Sequence, residues 1–204
     1  MDRREALRWL VAAAGSRWLD GPGPDRLLAW GRYVHTRAQR PGEPATRALD
    51  AHANRTVIAL AERIIPVTDT PGATDARVGL FIDRMLADWH SAEERARVLD
   101  GLTELDARSR ARYGRAFVDC SEPEQHGLLV VIDEEVAELR ATPPDQRPGT
   151  PADPDDHWFA TLKFLTVWGY CTSEVAQRQT LGAFPLPGRY DGCAPYPVRP
   201  AGDA

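Results

Sequence analysis

Residues 78–89, VGLFIDRMLADW, carry the pattern that decides the fold. Val78, Phe81, Ile82, Met85, Leu86 and Trp89 recur at i, i+3, i+4, i+7, i+8 and i+11. This spacing follows the 3.6-residue helical turn and gathers the large apolar side chains on one stripe, which predicts an amphipathic helix. A single helix cannot bury its own stripe, so its neighbours in the chain must supply the facing surface.

Those neighbours are present on both sides. Upstream, residues 56–65 (TVIALAERII) place Val57, Leu60, Ala61, Ile64 and Ile65 on one helical face, and Pro66 stops the helix. The intervening loop, PVTDTPGATDA, takes its turn chemistry from Asp69, Pro71 and Gly72. Downstream, Ser91 with Glu94 is a capping-box pattern opening a helix through Val98, Leu102 and Leu105. Ser121 with Glu124 repeats it before Leu128, Ile132, Val136 and Leu139, with Pro123 tolerated in the first turn.

The linker TPPDQRPGTPADP, with its repeated prolines, is neither helix nor central strand. After it, DDHWFATLKFLTVWGY is apolar on nearly every side, as a helix in the middle of a bundle would be. No run alternates with period two. The expected fold is therefore all-α, a bundle of about five core helices ending in an irregular Pro/Gly-rich C-terminal arm from Leu181 onward. Residues 20–47 are rich in Pro, Gly and Arg and read as a connector with a short helix around Leu27 to Val34. This divides the chain into an N-terminal segment and connector, 1–47, and a helical domain, 48–204.

Composition narrows the function. A formal net charge of −5 argues against nucleic-acid binding, which needs clustered cations on phosphates. The basic residues are arginines, with Lys163 the sole lysine, interleaved with acids as on solvated helix faces. No stretch reaches the ~20 apolar residues of a membrane-spanning helix. The start, MDRREALRWLVAAAG, has paired arginines Arg3 and Arg4, then Leu7, Arg8 and a short apolar run. It supports two readings, a twin-arginine export signal and an amphipathic N-terminal helix.

No catalytic, cofactor-binding or metal-binding set emerges. The histidines, His35, His52, His90, His126 and His157, do not stand at any recognised metal spacing. His157 beside Asp155 and Asp156 admits a ligand-cluster reading, set against acids that favour a helix dipole. Asp133, Glu134 and Glu135 fall on a solvent face between core positions. Cys120 precedes a helix start without a partner histidine and reads as structural. Trp158 and Trp168 read as core. Cys171 and Cys193 would, if joined, close a loop of ~20 residues worth ~3 kcal/mol on the chain-entropy model. That disulfide requires export; three reduced cysteines would fit a cytosolic chain, and Cys193 pairing with a partner chain is a third arrangement.

Taken together these motifs resemble one family. The loop Ile64 to Ala73 (IIPVTDTPGA), Gly169-Tyr170 with Thr172-Ser173-Glu174, and Pro187-Gly188, Tyr190 and Gly192-Cys193 are, in order and spacing, similar to the gluconate 2-dehydrogenase subunit 3 family, over about residues 50 to 197. The resemblance implies a non-catalytic small subunit that binds and stabilises a large flavoprotein of the glucose-methanol-choline type. That subunit would carry FAD and oxidise a sugar, sugar acid or glycoside. A haem c subunit would complete the complex, and the small subunit would escort the large one through export. No catalytic residue carries over, and FAD is expected on the partner alone. Export as part of a membrane-associated complex is accordingly preferred to a cytoplasmic location. The partner interface is expected at Tyr170, Thr172, Ser173, Glu174, Phe184, Gly188, Tyr190, Gly192, Cys193 and Tyr196. The alternatives are a stand-alone helical enzyme or metal-binding protein using His157 and nearby acids, and a membrane-surface adaptor anchored by the N-terminal basic helix.

Overall fold

The computed structural model describes residues 24–39, 46–143 and 154–181. They form seven α-helices: α1 (Pro24–Ala38), α2 (Ala51–Ile64), α3 (Val78–Asp88), α4 (Ala92–Tyr113), α5 (Glu122–Ala141), α6 (Trp158–Thr172) and α7 (Glu174–Gln179). Short 3-10 turns at Phe117–Asp119 and Pro154–Asp156 precede α5 and α6. Among the described residues there is no strand, and no helix is long and apolar enough to cross a membrane.

Helix α6 is the axis, in contact with each of the other six helices. Its all-round apolar composition has that cause: a helix enclosed by neighbours needs no polar face. The stripe on α3 is buried as its spacing requires, with Val78, Phe81, Ile82 and Leu86 at 0% exposure. Its back is covered too. Asp83 and Arg84, on the side away from the stripe, are enclosed because α1, α2 and α6 all pack on α3. Asp83 compensates its burial by accepting four backbone hydrogen bonds. Oδ1 takes the amides of Arg47 (3.0 Å), Ala48 (2.9 Å) and Leu49 (3.0 Å), and Oδ2 takes Arg47 again at 2.9 Å. One carboxylate thus ties the chain entering α2 to the centre of the bundle.

The starts of α4 and α5 follow their sequence signals, and α2 opens on a cap the sequence reading did not name. Asp50 accepts from the Ala53 amide at 2.7 Å. Ser91 accepts the Glu94 amide at 3.1 Å while the Glu94 carboxylate takes the Ser91 amide at 2.7 Å, closing the box. At α5 the Glu124 carboxylate accepts both the amide (2.8 Å) and the hydroxyl (2.9 Å) of Ser121.

Two expectations are corrected. The short helix expected around Leu27 to Val34 runs from Pro24 to Ala38 and is built into the core: Val34 is 1% exposed, and α1 packs on α3 and α6. The acids of α5 do not all face solvent. Asp133 pairs with Lys163 of α6 at 2.7 Å and Glu135 with Arg108 of α4 at 2.7 Å, so both sit on seams between helices; Glu134 is exposed.

Close backbone approach explains how α1, α3 and α6 meet. A methyl group on Gly169 would lie 2.6 Å from Phe81 Cδ1, so only glycine lets α6 come this near α3. The freed carbonyl of Gly169 accepts from His35 Nε2 of α1 at 2.7 Å, and His35 stacks on Phe81 with centroids 4.9 Å apart. Around them Trp30, Trp89, Trp168 and Phe81 form edge-to-face pairs at 5.4–5.6 Å.

Burial holds the His35 pKa below the ordinary 6.5, against the opposing effect of its bond to Gly169. In the window between the depressed folded value and the unfolded value, the unfolded chain binds the extra proton. Stability is therefore full above about pH 6.5 and declines as the pH falls through that window. His157, whose pKa burial also lowers, adds in the same direction. A His35→Gln variant keeps a donor for Gly169 without titrating, and is expected to lose less stability between pH 7 and pH 5 than the parent. Urea midpoints at the two pH values measure this; an equal loss in both proteins would contradict it.

Candidate partner interface

The loop from Ile65 to Arg77 is built on one side chain. Glu62, in the last turn of α2, accepts from the Val67 amide through Oε1 at 2.9 Å. Its Oε2 takes the Thr74 amide at 2.9 Å and the Thr74 hydroxyl at 2.6 Å. A carboxylate reaching both ends of a loop substitutes for the ladder that a strand would provide. Backbone bonds complete the frame, from Ala73 to Ile65 O at 2.9 Å, Thr68 to Thr70 O at 3.1 Å and Val78 to Ala73 O at 3.0 Å. The loop ends at Arg77 in the left-handed region, φ 53°, the lone non-glycine residue there among those described. Such a conformation costs about 1–2 kcal/mol and persists where the surroundings over-determine it.

Tyr170 of α6 joins this loop to the end of the bundle. Its hydroxyl donates to Pro71 O at 2.7 Å and receives from Thr180 Oγ1 at 2.8 Å. The α6–α7 junction beside it is held by short-range bonds. Thr172 donates to Trp168 O at 2.8 Å, while Ser173 donates to Tyr170 O at 2.8 Å and accepts the Ala176 amide at 3.1 Å as the cap of α7. The result is a stiff ledge that exposes Val67 (56%) on the loop and Leu181 (41%) just past α7. Preorganisation of this kind lowers the entropy lost on docking.

Of the interface residues expected from sequence, Tyr170, Thr172 and Ser173 are buried and spend their polar groups inside the chain. Their part in any interface is to position the ledge. Glu174 is exposed and pairs with Arg178 at 2.9 Å. Phe184, Gly188, Tyr190, Gly192, Cys193 and Tyr196 lie outside the described residues. Among the described residues Cys120 and Cys171 form no disulfide, and the pairing of Cys171 with Cys193 has its second member outside them. Burial pushes the Cys171 thiol up to about 11, so it is protonated at neutral pH. Glu62 and Thr180 were not singled out by sequence, and Pro71 was read only as a turn residue of the loop. Glu62 reads there as one more solvated helix charge, and its role depends on where the chain returns twelve residues later.

The candidates for chemistry are dispersed into structural tasks. His157 caps α6, its Nδ1 accepting the Phe159 amide at 3.2 Å, while Asp155 pairs with Arg140 at 2.8 Å and Asp156 with Arg97 at 4.0 Å. His52 donates to Asp106 Oδ2 at 2.5 Å, an acid–imidazole contact whose other oxygen holds the Phe117 amide at 2.9 Å. Burial opposes ionisation of Asp106, but the Phe117 amide and His52 outweigh it and keep its pKa below the ordinary range. Trp158 and Trp168 are core, each 8% exposed. Among the described residues no group of three His, Cys, Asp or Glu side chains is placed to hold a metal ion.

A family model for gluconate 2-dehydrogenase subunit 3 matches residues 51–188, well over half of the 204 residues and beginning at the first residue of α2. No curated protein matches the chain, and no solved structure does. The chain belongs to the gluconate 2-dehydrogenase subunit 3 family, a family of dehydrogenase subunits.

Proposed function

We propose that this chain is the non-catalytic small subunit of a dehydrogenase complex. It binds and stabilises a large FAD-dependent subunit of the glucose-methanol-choline type, which performs the oxidation of a sugar, sugar acid or glycoside. FAD resides on that partner, with a haem c subunit as the third member. The N-terminal Arg3-Arg4 segment serves as an export address for both chains, placing the complex outside the cytoplasm.

One observation carries the docking part of this reading. Two motif segments about a hundred residues apart, the Ile64–Ala73 loop and Gly169–Glu174, converge on the hydrogen bond from Tyr170 to Pro71. A protein with no reaction of its own has little reason to preorganise a surface ledge except to present it. The ledge ends at Leu181, where the Pro/Gly-rich C-terminal residues begin.

The experiment is co-expression of the chain with a large glucose-methanol-choline-type flavoprotein of the same organism, followed by pull-down and dye reduction. The expected result is a stable complex, with soluble active flavoprotein only when both chains are present. A flavoprotein that is soluble, exported and fully active alone overturns the proposal. Deleting residues 182–204 is expected to abolish association while leaving most helicity; a stable complex from the truncated chain would exclude those residues from the interface.

A further inference from the structure

We infer that α1 is an acid-released clasp: protonation of His35 detaches this helix from α3 and α6 as a unit, while the bundle beneath it stays folded. Three observations carry this inference. First, α1 is set onto the bundle from outside the family-matched region, which begins at Ala51. It packs on α3 and α6 through one stripe, Gly31, Val34, His35 and Ala38, with Leu27 and Trp30 at its edge. Second, its polar contacts to the helices beneath run through His35 Nε2 to Gly169 O at 2.7 Å, Trp168 Nε1 to Leu27 O at 3.1 Å and Arg32 to Gln177 of α7. Third, His35 is the titratable group in that stripe and is 7% exposed, so a charge on it has to be held where water hardly reaches.

A second proton is poorly accommodated there. A carbonyl only accepts, so Nε2 of the neutral ring already carries its hydrogen toward Gly169, and protonation adds one at Nδ1. The resulting cation is stacked on Phe81, 4.9 Å between centroids, and closed in by α6. Of the two helices packed against it, α3 carries Asp83, Arg84 and Asp88, and α6 carries Lys163, Tyr170 and Cys171; α1 itself carries Asp25, Arg26, Arg32, Tyr33 and Arg37. Asp83 is committed to the amides of residues 47–49, Asp88 to Arg47 and Lys163 to Asp133. Among the described residues none of these groups enters the titration of His35, which burial lowers and the Gly169 bond opposes with smaller effect. The detached helix returns the imidazole to its ordinary 6.5, so below that pH the open form binds a proton that the closed form refuses. Until the depressed value is reached, the open fraction rises by up to about tenfold per pH unit. Release uncovers the Phe81 and Trp168 rings and frees Gln177 from Arg32, so acid acts on the α7 end of the ledge.

The inference is independent of the small-subunit reading and is tested on the full-length chain alone. Hydrogen exchange is measured helix by helix at pH 7 and pH 5, as protection factors, for the parent and His35→Gln. The start of α6 is left out of the comparison, because His157, whose pKa is also lowered, caps it. In the parent, the α1 amides are expected to lose about tenfold or more in protection at pH 5, while those of α4 and α5 stay within about twofold. In His35→Gln, which keeps a donor for Gly169 and does not titrate, α1 should change by less than about threefold. Equal loss in all helices of the parent would show a global effect and overturn the clasp. Unchanged protection of α1 in the parent, or a loss as large in the Gln variant, would overturn it as well. Should the Gln variant fail to fold, the comparison of helices within the parent decides alone.

Discussion

Replacing Asp83 by alanine is expected to destabilise the protein by about 3–5 kcal/mol. The carboxylate is 0% exposed and its loss strands the amides of Arg47, Ala48 and Leu49, for which no water can substitute at the buried Leu49. The Arg84 guanidinium lies 3.7 Å from the same carboxylate, so a negative charge disappears beside a buried positive one. Asp83→Asn retains an acceptor oxygen and should fall between parent and alanine variant. Urea unfolding measures the order; equal stability of all three proteins would show that water or a shifted backbone replaces the carboxylate.

The second large effect is expected at Tyr170. Tyr170→Ala removes a buried ring and should cost about 3–5 kcal/mol. Tyr170→Phe keeps the ring and deletes only the hydroxyl that holds Pro71 and Thr180, for about 1 kcal/mol in global stability. The informative difference is local. In Tyr170→Phe, hydrogen exchange at the Val67 and Thr74 amides should accelerate while the core amides of α3 and α6 keep their protection. Unchanged exchange in the loop would mean that Glu62 alone holds it, and would remove Tyr170 from the ledge. If the small-subunit reading holds, the Phe variant also binds the flavoprotein more weakly.

These two residues also mark what a sequence can disclose. Periodicity located the stripe Val78 to Trp89 and the faces of α2, α4 and α5, because apolar spacing and helical pitch are properties of a single segment. The capping boxes at Ser91 and Ser121 were legible for the same reason, as each is closed within four residues. Tyr170 was legible as a motif residue, though not as an internal one. Asp83 was not legible at all. On the pattern it occupies the outer side of an amphipathic helix, and its burial follows from the chain at Arg47–Leu49 folding over that side, which no local pattern announces.

By itself, then, the sequence determined the all-α class, the starts of α4 and α5 and most core faces, the central place of residues 158–172, and, through its motifs, the family. The tertiary structure alone decided that α1 belongs to the bundle and that Glu62 braces the loop Tyr170 pins. It also decided that Asp133 and Glu135 bridge helices, and that His35, His52 and His157 serve contacts and a cap. The division has a physical cause. Helical periodicity and capping are interactions over three or four residues, whereas the farthest partners of Glu62, Asp83 and Tyr170 stand 12, 36 and 99 residues away and are chosen by packing.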